Sequence, residues 1–285
     1  MIYMKFWKTK NLISLVLLFF GSITYFSQKY LITSEYKLQK TQIDRSSKHK
    51  KLDKDNWWKP NSRLTFHIQH ISSREEAENL PDVDVVNLEL SQIQRYLEPN
   101  FFKNRNIKLV CYFSASYESW RLDADLYPKD AIGNKMREWN ESWGNIDKES
   151  LKTFLEGRMN LAQSLGCDAI EIDNTDPAFN TEETGFIITK EQNKDALIDL
   201  SNRAHKKKLA IFLKNTSDLA KELEPYFEGV FNEQCAQYNE CSVYYSFVKA
   251  GKPVFQVEYD TCKVVPGHVI YKKDDYFSKN YTVCK

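Results

Sequence analysis

The 285-residue chain contains no CxxC and no HxxxH, and its five histidines are scattered. No ligand set with metal-site spacing or thiol redox motif results, so neither a metal nor another cofactor is expected. An apolar run of the usual spanning length is also missing. The longest apolar run, "NLISLVLLFFGSITYF" (Asn11 to Phe26), falls short of the ~20 residues a spanning helix needs. No small-x-small cleavage site follows it, because Tyr25 and Phe26 are bulky. Positive charge is scarce in the main body: residues 56–285 carry 29 Lys/Arg against 35 Asp/Glu, whereas residues 1–55 carry 11 against 4. A net-acidic body argues against nucleic acid and is compatible with a cationic ligand.

At the N-terminus, Lys5, Lys8 and Lys10 precede the apolar run, the charge-then-apolar order of an export signal. Residues 1–27 therefore read as a signal peptide or an uncleaved membrane anchor. Residues 28–55 read as a flexible basic tether, and residues 56–285 as the folded domain. The product is expected outside the cytoplasm, secreted or anchored, with membrane contact only through its N-terminal segment. Export makes the six cysteines disulfide candidates. Cys235 and Cys241 flank one loop, and Cys262 and Cys284 bracket the C-terminal segment, so both pairs are expected to be bridged. Cys111 and Cys167 fall in strand-like runs whose alternation aims them at opposite sides of the sheet, so both are expected as buried free thiols.

Strand-like runs recur at residues 63–70, 84–91, 108–116, 167–174, 209–215, 229–235, 253–260 and 268–274. Amphipathic segments fit between several of them. The segment 148–166 ends on Gly166 as a helix C-cap, 190–208 follows the same logic, and 217–227 opens on a Ser-Asp cap. Alternating strand and helix with a count near eight predicts an α/β fold, a (β/α)8 TIM barrel in a single domain.

In each run one face is apolar: Val86, Leu88 and Leu90; Leu109, Cys111 and Phe113; Leu209, Ile211 and Leu213. The opposite faces turn polar near their C-terminal ends at Gln69, Glu89, Ser114, Asp173, Lys214, Glu233 and Glu258, the end where such a barrel builds its site. In "CDAIEIDN" (Cys167 to Asn174), Glu171 and Asp173 share a face because strand side chains repeat every second residue. Glu171 lies one layer below Asp173, where Lys214 is its expected partner. Gln69 and Ser114 taken singly read as hydrogen-bonded core residues. Five carboxylates facing one obvious cation, Lys214, instead demand raised pKa values, a bound cation or a positively charged ligand. Glu89 and Glu258 are the candidates for meeting such a ligand. Tyr112, Asn174 and Tyr259 complete the set of residues expected to contact it. Paired carboxylates without a metal or a Ser/Cys nucleophile are the equipment of glycoside hydrolysis. Trp57, Trp58, Tyr112, Trp120, Trp139, Trp143, Tyr238 and Tyr259 supply aromatic faces of the kind sugars stack on.

The blocks "WWKP" (57–60), "CYFSASYESWRLDA" (111–124), "GCDAIEIDNTD" (166–176), "TGFIIT" (184–189), "AHKKKLAIFLKN" (204–215), "NEQCAQYNEC" (232–241) and "GKPVFQVEY" (251–259) occur in the order seen in one family. The chain resembles the endo-α-1,4-polygalactosaminidases, glycoside hydrolase family 114. The resemblance implies an extracellular (β/α)8 barrel that cleaves galactosamine-rich polysaccharide internally. It assigns the catalytic pair to Asp173, in the block where the family has "PDN", and Glu233, in "NEQC". Ile172 replaces the family's proline, and "WNESWGNID" (139–147) departs from its usual tryptophan-rich block. A non-catalytic amino-sugar-binding barrel and a hydrolase of another amino-sugar polymer remain the alternatives.

Overall fold

The computed structural model describes residues 56–275 and 278–284; the expected signal or anchor and the basic tether lie outside the described residues. All eight strand-like runs form strands: β1 (Phe66–Ile68), β2 (Val85–Glu89), β3 (Lys108–Ser114), β6 (Ala169–Asp173), β7 (Ala210–Lys214), β8 (Gly229–Glu233), β9 (Val254–Glu258) and β10 (His268–Lys273). They pair in parallel in that order, and β11 (Tyr281–Val283) adds an antiparallel ninth strand beside β10. A hairpin of β4 (Ile132–Lys135) and β5 (Ser142–Gly144) stands apart as a second sheet. Neither β11 nor the hairpin was anticipated; each has only three or four residues and lacks clear alternation.

The long crossovers behave as their patterns require. Helix α3 (Glu149–Leu165) buries Leu151, Phe154, Leu155, Met159, Ala162 and Leu165, one stripe at helical spacing. It ends on Gly166, whose φ of 85° is the left-handed conformation that favours glycine. Helix α5 (Lys190–Lys206) opens with a Thr189–Gln192 capping box. The other helices are short: α1 (Arg74–Glu78), α2 (Leu90–Tyr96), α4 (Thr181–Thr184), α6 (Ala220–Leu223) and α7 (Tyr245–Lys249). The helix expected over 217–227 is a single α turn, α6, between two 3-10 turns. Thr216, left-handed at φ 49°, precedes the first turn without a side-chain cap.

Two apolar layers flank the main sheet. Val86, Leu88, Leu109, Cys111, Phe113, Ile170, Ile172, Ile211 and Leu213 pack outward against the helices. Phe66, Val85, Val110, Ala169, Phe212, Phe231, Phe255 and Tyr271 fill the inner face. There the sheet curls: Phe66 of β1 stacks on Phe255 of β9 at 4.7 Å and on Tyr271 of β10 at 4.4 Å. Gly229 keeps the β8 entrance open for this packing, because a Cβ there would lie 2.5 Å from the Phe212 ring. Among the described residues no ladder joins β1 to the far edge. Tyr281 of β11 instead brings its ring 4.9 Å from His67, and Lys273 Nζ donates to the Ile68 carbonyl at 3.2 Å.

Three disulfides are present: Cys235–Cys241, Cys262–Cys284 and Cys111–Cys167. The third corrects the expectation of two free thiols. Cys167 precedes β6 and sits in the turn that leaves Gly166, where its N–H donates to Ala162. Strand alternation therefore does not reach it, and its side chain joins Cys111 in the outer layer. Three bridges fit an oxidising compartment outside the cytoplasm. Among the described residues no helix is long and apolar enough to cross a membrane.

Candidate active site

The C-terminal ends of β6, β7 and β8 are adjacent in the sheet and deliver Asp173, Lys214 and Glu233 side by side. Lys214, buried against Tyr112, places Nζ 3.4 Å from Asp173 Oδ2 and 3.6 Å from Glu233 Oε1. Those two oxygens therefore lie no more than about 7 Å apart, a bound that admits the separations of glycosidase carboxylate pairs. Asp173 is firmly held: Tyr112 Oη donates to Oδ2 at 2.8 Å and the Asn174 N–H to Oδ1 at 2.8 Å. Each of the three strands ends in a left-handed residue, Asn174 (φ 56°), Asn215 (φ 47°) and Gln234 (φ 66°). Such backbone is uncommon outside glycine and concentrates at functional sites.

Glu171 is one layer deeper, fully buried. Burial pushes its carboxyl up to about 8 against the opposing pull of Lys214, 3.8 Å away, and with further upward push from Asp173. Asn87 donates to Oε2, while Oε1 has no hydrogen-bond partner. Burial thus favours the neutral form of this carboxyl, and Lys214 lies nearer to Asp173 and Glu233 than to it.

The remaining expected residues divide. Tyr112, Glu233 and Tyr259 line the cleft above the strand ends with Gln69. Gln69 itself bonds to His67 at 3.0 Å on the face opposite Phe66, so His70 is the inward residue that follows β1. Ser114 and Asn174 join a polar chain in which Asn174 Nδ2 donates to Ser114 Oγ at 2.9 Å and Ser114 Oγ meets Ser116 Oγ at 2.6 Å. Glu89 borders the cleft, but its carboxylate caps α2 through the Ser91 and Gln92 N–H groups and pairs with Arg121. Arg121 also grips Glu118, whose carboxyl burial pushes up to about 7 despite that partner. Glu258 requires a correction. Phe255 and Val257 of β9 face inward, so Glu258 faces the other way. It is fully buried there, accepting from the Ala236 N–H at 2.8 Å and from Gln256 at 2.7 Å. It braces the loop after Glu233 and does not face a ligand.

Besides His70, three site groups were missed. Arg121 and Lys273 are cations at the mouth, so Lys214 does not stand alone; burial pushes Lys273 down, against the upward pull of Glu233. Glu141, at the end of the β4–β5 turn, accepts from Ser116 and, at 3.4 Å, from Asn174. Burial and the charge of Asp173 both push its carboxyl up, against the Ser116 bond. Its only sequence signal was its place in the departing block 139–147. As for metals, Cys235, Cys241 and His268 bring ligand-type atoms within 4.8 Å of one another, but both sulfurs are spent in the disulfide.

A curled, mainly parallel sheet that gathers carboxylates at its C-terminal edge is an architecture on which carbohydrate-cleaving enzymes are built. The sequence model of glycoside-hydrolase family GH114 matches residues 47–282. The chain belongs to that family and is a glycoside hydrolase. No curated protein matches it. Among solved structures, Ega3 of Aspergillus fumigatus, described in complex with galactosamine, is similar with TM-score 0.70 and 26% identity over 84% of this chain and all of that one. The glycoside hydrolase domain of PelA from Pseudomonas aeruginosa shares the fold at TM-score 0.55 and 14% identity, over 73% of this chain and 93% of that one.

Proposed function

We propose that the protein is an endo-acting hydrolase of α-1,4-linked, galactosamine-containing polysaccharide, working through Asp173 and Glu233. The observation that carries the reading is the Lys214 bridge between these two carboxylates on neighbouring strands, in a GH114 chain similar to a protein described with galactosamine bound. Asp173, whose oxygens are fixed as acceptors by Tyr112, Lys214 and its own neighbour's N–H, attacks or activates at the anomeric carbon. Glu233, on the cleft wall, protonates the leaving oxygen. Most of the inverting range of carboxylate separations, ~6.5–9.5 Å, exceeds the span that Lys214 allows, which favours retention of configuration. We read the curled sheet as a (β/α)8 barrel whose seam beside β1 is closed by side chains and β11. Residues 1–27 direct export and 28–55 tether the domain.

A sugar bearing a free amine suits a mouth where Asp173, Glu233 and Glu141 gather. The test is reducing-end release from de-N-acetylated galactosaminogalactan, compared with the same polymer after chemical N-acetylation and with chitosan. Faster cleavage of the free-amine galactosamine polymer, weakening as salt rises, is expected. Equal rates before and after acetylation would remove the amine from the recognition, and binding without cleavage would make the protein a lectin-like module.

A further inference from the structure

At the end of β7 the parallel ladder is repaired by a side chain. The Asn215 N–H donates to the Phe231 carbonyl at 3.0 Å as the regular ladder requires. The next rung of a parallel pair would run from the Glu233 N–H to the backbone carbonyl of Asn215. With φ of 47°, Asn215 turns that carbonyl away, and it accepts instead from Tyr244 Oη at 3.1 Å. The rung is made by Asn215 Oδ1, which accepts the Glu233 N–H at 2.9 Å and the Asn232 Nδ2 at 3.3 Å. Glu233 is thus anchored to β7 by one side-chain oxygen, on the residue that directly follows Lys214.

We propose that Asn215 is the positioning residue of Glu233: its side-chain carbonyl replaces the missing ladder rung and fixes the Glu233 carboxylate relative to Lys214. Lys214 and the rung are consecutive in the chain, so the 3.6 Å contact is set by the short segment between them. Tyr244 and Asn232 brace the same turn, since Asn232 donates to Tyr244 Oη at 3.1 Å and accepts the Cys235 N–H at 3.0 Å. Neither of them, however, replaces the bond to Glu233.

The inference rests on the catalytic reading of Glu233, and its test is separable from that reading. Carboxyl carbons of a 13C-glutamate-labelled protein are titrated by NMR, with Glu233 assigned through Glu233→Gln. The proteins compared are the wild type, Asn215→Gly and Tyr244→Phe. Glycine tolerates the left-handed backbone, so Asn215→Gly removes the acceptor without adding strain. Loosening Glu233 from Lys214 by about 1 Å should raise its titration midpoint by about 0.5. On the polymer, kcat should fall about 10–100-fold while KM stays within about threefold, because the chemical step and not binding loses its geometry. Tyr244→Phe should lower the melting temperature and leave the midpoint in place. An unmoved midpoint in Asn215→Gly, or an equal movement in Tyr244→Phe, overturns the proposal. A wild type inactive on the polymer would count against the proposed substrate alone, because the titration still decides the role of Asn215.

Discussion

Strand β8 is framed by two glutamates that meet opposite fates. Glu228 precedes its first residue and Glu233 is its last. Glu228 is buried and saturated. Its Oε1 accepts from Trp57 at 2.8 Å and Lys59 at 3.2 Å, and its Oε2 from the Ile211 N–H and His205, both at 3.0 Å. Trp57 stacks flat on His205 at 4.1 Å, and Lys59 lies over Trp57, so the "WWKP" block is a latch at the N-terminal end of the sheet. Burial pushes the Glu228 carboxyl up, but His205 and the other donors outweigh it and hold the group below its usual range. Glu233, at the other end, shares one ammonium with Asp173 and opens onto the cleft. A carboxylate whose acceptor sites are all filled by its own chain holds the fold. One left with acceptor capacity facing a cleft is available to a substrate.

The largest expected effect tests the open end. Glu233→Gln should cut turnover by about 10²–10⁴-fold through loss of proton donation, and Asp173→Asn should be at least as damaging. Neither should lower the melting temperature appreciably, because each removes a charge from a crowded site. Reducing-end assays and thermal melts on the same samples check both halves. Near-normal turnover in either variant would strip that residue of its role.

The supporting half should respond in reverse. Cys111–Cys167 ties the middle of β3 to the entrance of β6 across 56 residues of sequence. By loop-closure entropy its removal should cost about 4 kcal/mol. The Cys111→Ala, Cys167→Ala double variant should melt about 8–16 °C lower and, well below that temperature, cleave at the wild-type rate. Peptide mapping without reduction should show three bridges.

Glu228→Gln should cost somewhat less, about 3 kcal/mol, because it strips a buried, fully paired carboxylate of its charge. The sign with pH follows from its depressed carboxyl. The stability that Glu228 contributes is present above the ordinary glutamate range and is lost as pH falls through its lower folded value. The gap in melting temperature between wild type and variant should therefore narrow on acidification while turnover at neutral pH stays intact. A loss of turnover with unchanged stability would erase the contrast between the two ends.

How much of this could be read from the sequence depended on how different the two faces of each strand are. In β2, β3, β6 and β7 one face is continuously apolar, so Glu89, Tyr112, Glu171, Asp173 and Lys214 fall correctly on the inner face; in β8 the Val230 face also carries Asn232, and Phe231 aligns Glu233 with the inner layer. In β9 both faces carry apolar residues, "PVFQVEYD", and nothing in the alternation says whether Glu258 or Tyr259 points inward. The structure chooses Tyr259 because Phe255 must meet Phe66. The end of β1 is ambiguous in the same way, which hid His70. Cys167 was misplaced by extending strand periodicity into a turn that Gly166 had already begun. Arg121 and Glu141 come from loops, and Lys273 from a strand whose two lysines are adjacent; no periodic signal assigns any of them to a site.

The smallest effect sharpens the comparison most, because it concerns a carboxyl that belongs to neither end. Glu171 is buried like Glu228 yet lacks its donors: one oxygen is bonded to Asn87 and the other has no hydrogen bond. Its carboxyl, pushed up to about 8 by burial, binds a proton in the folded state over a range where the unfolded chain, near 4.3, has released it. Stability therefore falls as pH rises from about 4.3 to about 8 and is flat beyond. Glu171→Gln copies the neutral carboxyl in shape and cannot ionise, so it escapes that loss. Its melting temperature relative to wild type should climb by several degrees between pH 5 and pH 8. Turnover near pH 6 should stay within about tenfold, because a neutral Glu171 leaves Lys214 to Asp173 and Glu233 in either protein. A variant destabilised equally at both pH values would show that Glu171 is ionised and paired with Lys214. The layer beneath the site would then be saturated in the manner of Glu228, and the cation would be shared between Glu171 and the pair above it.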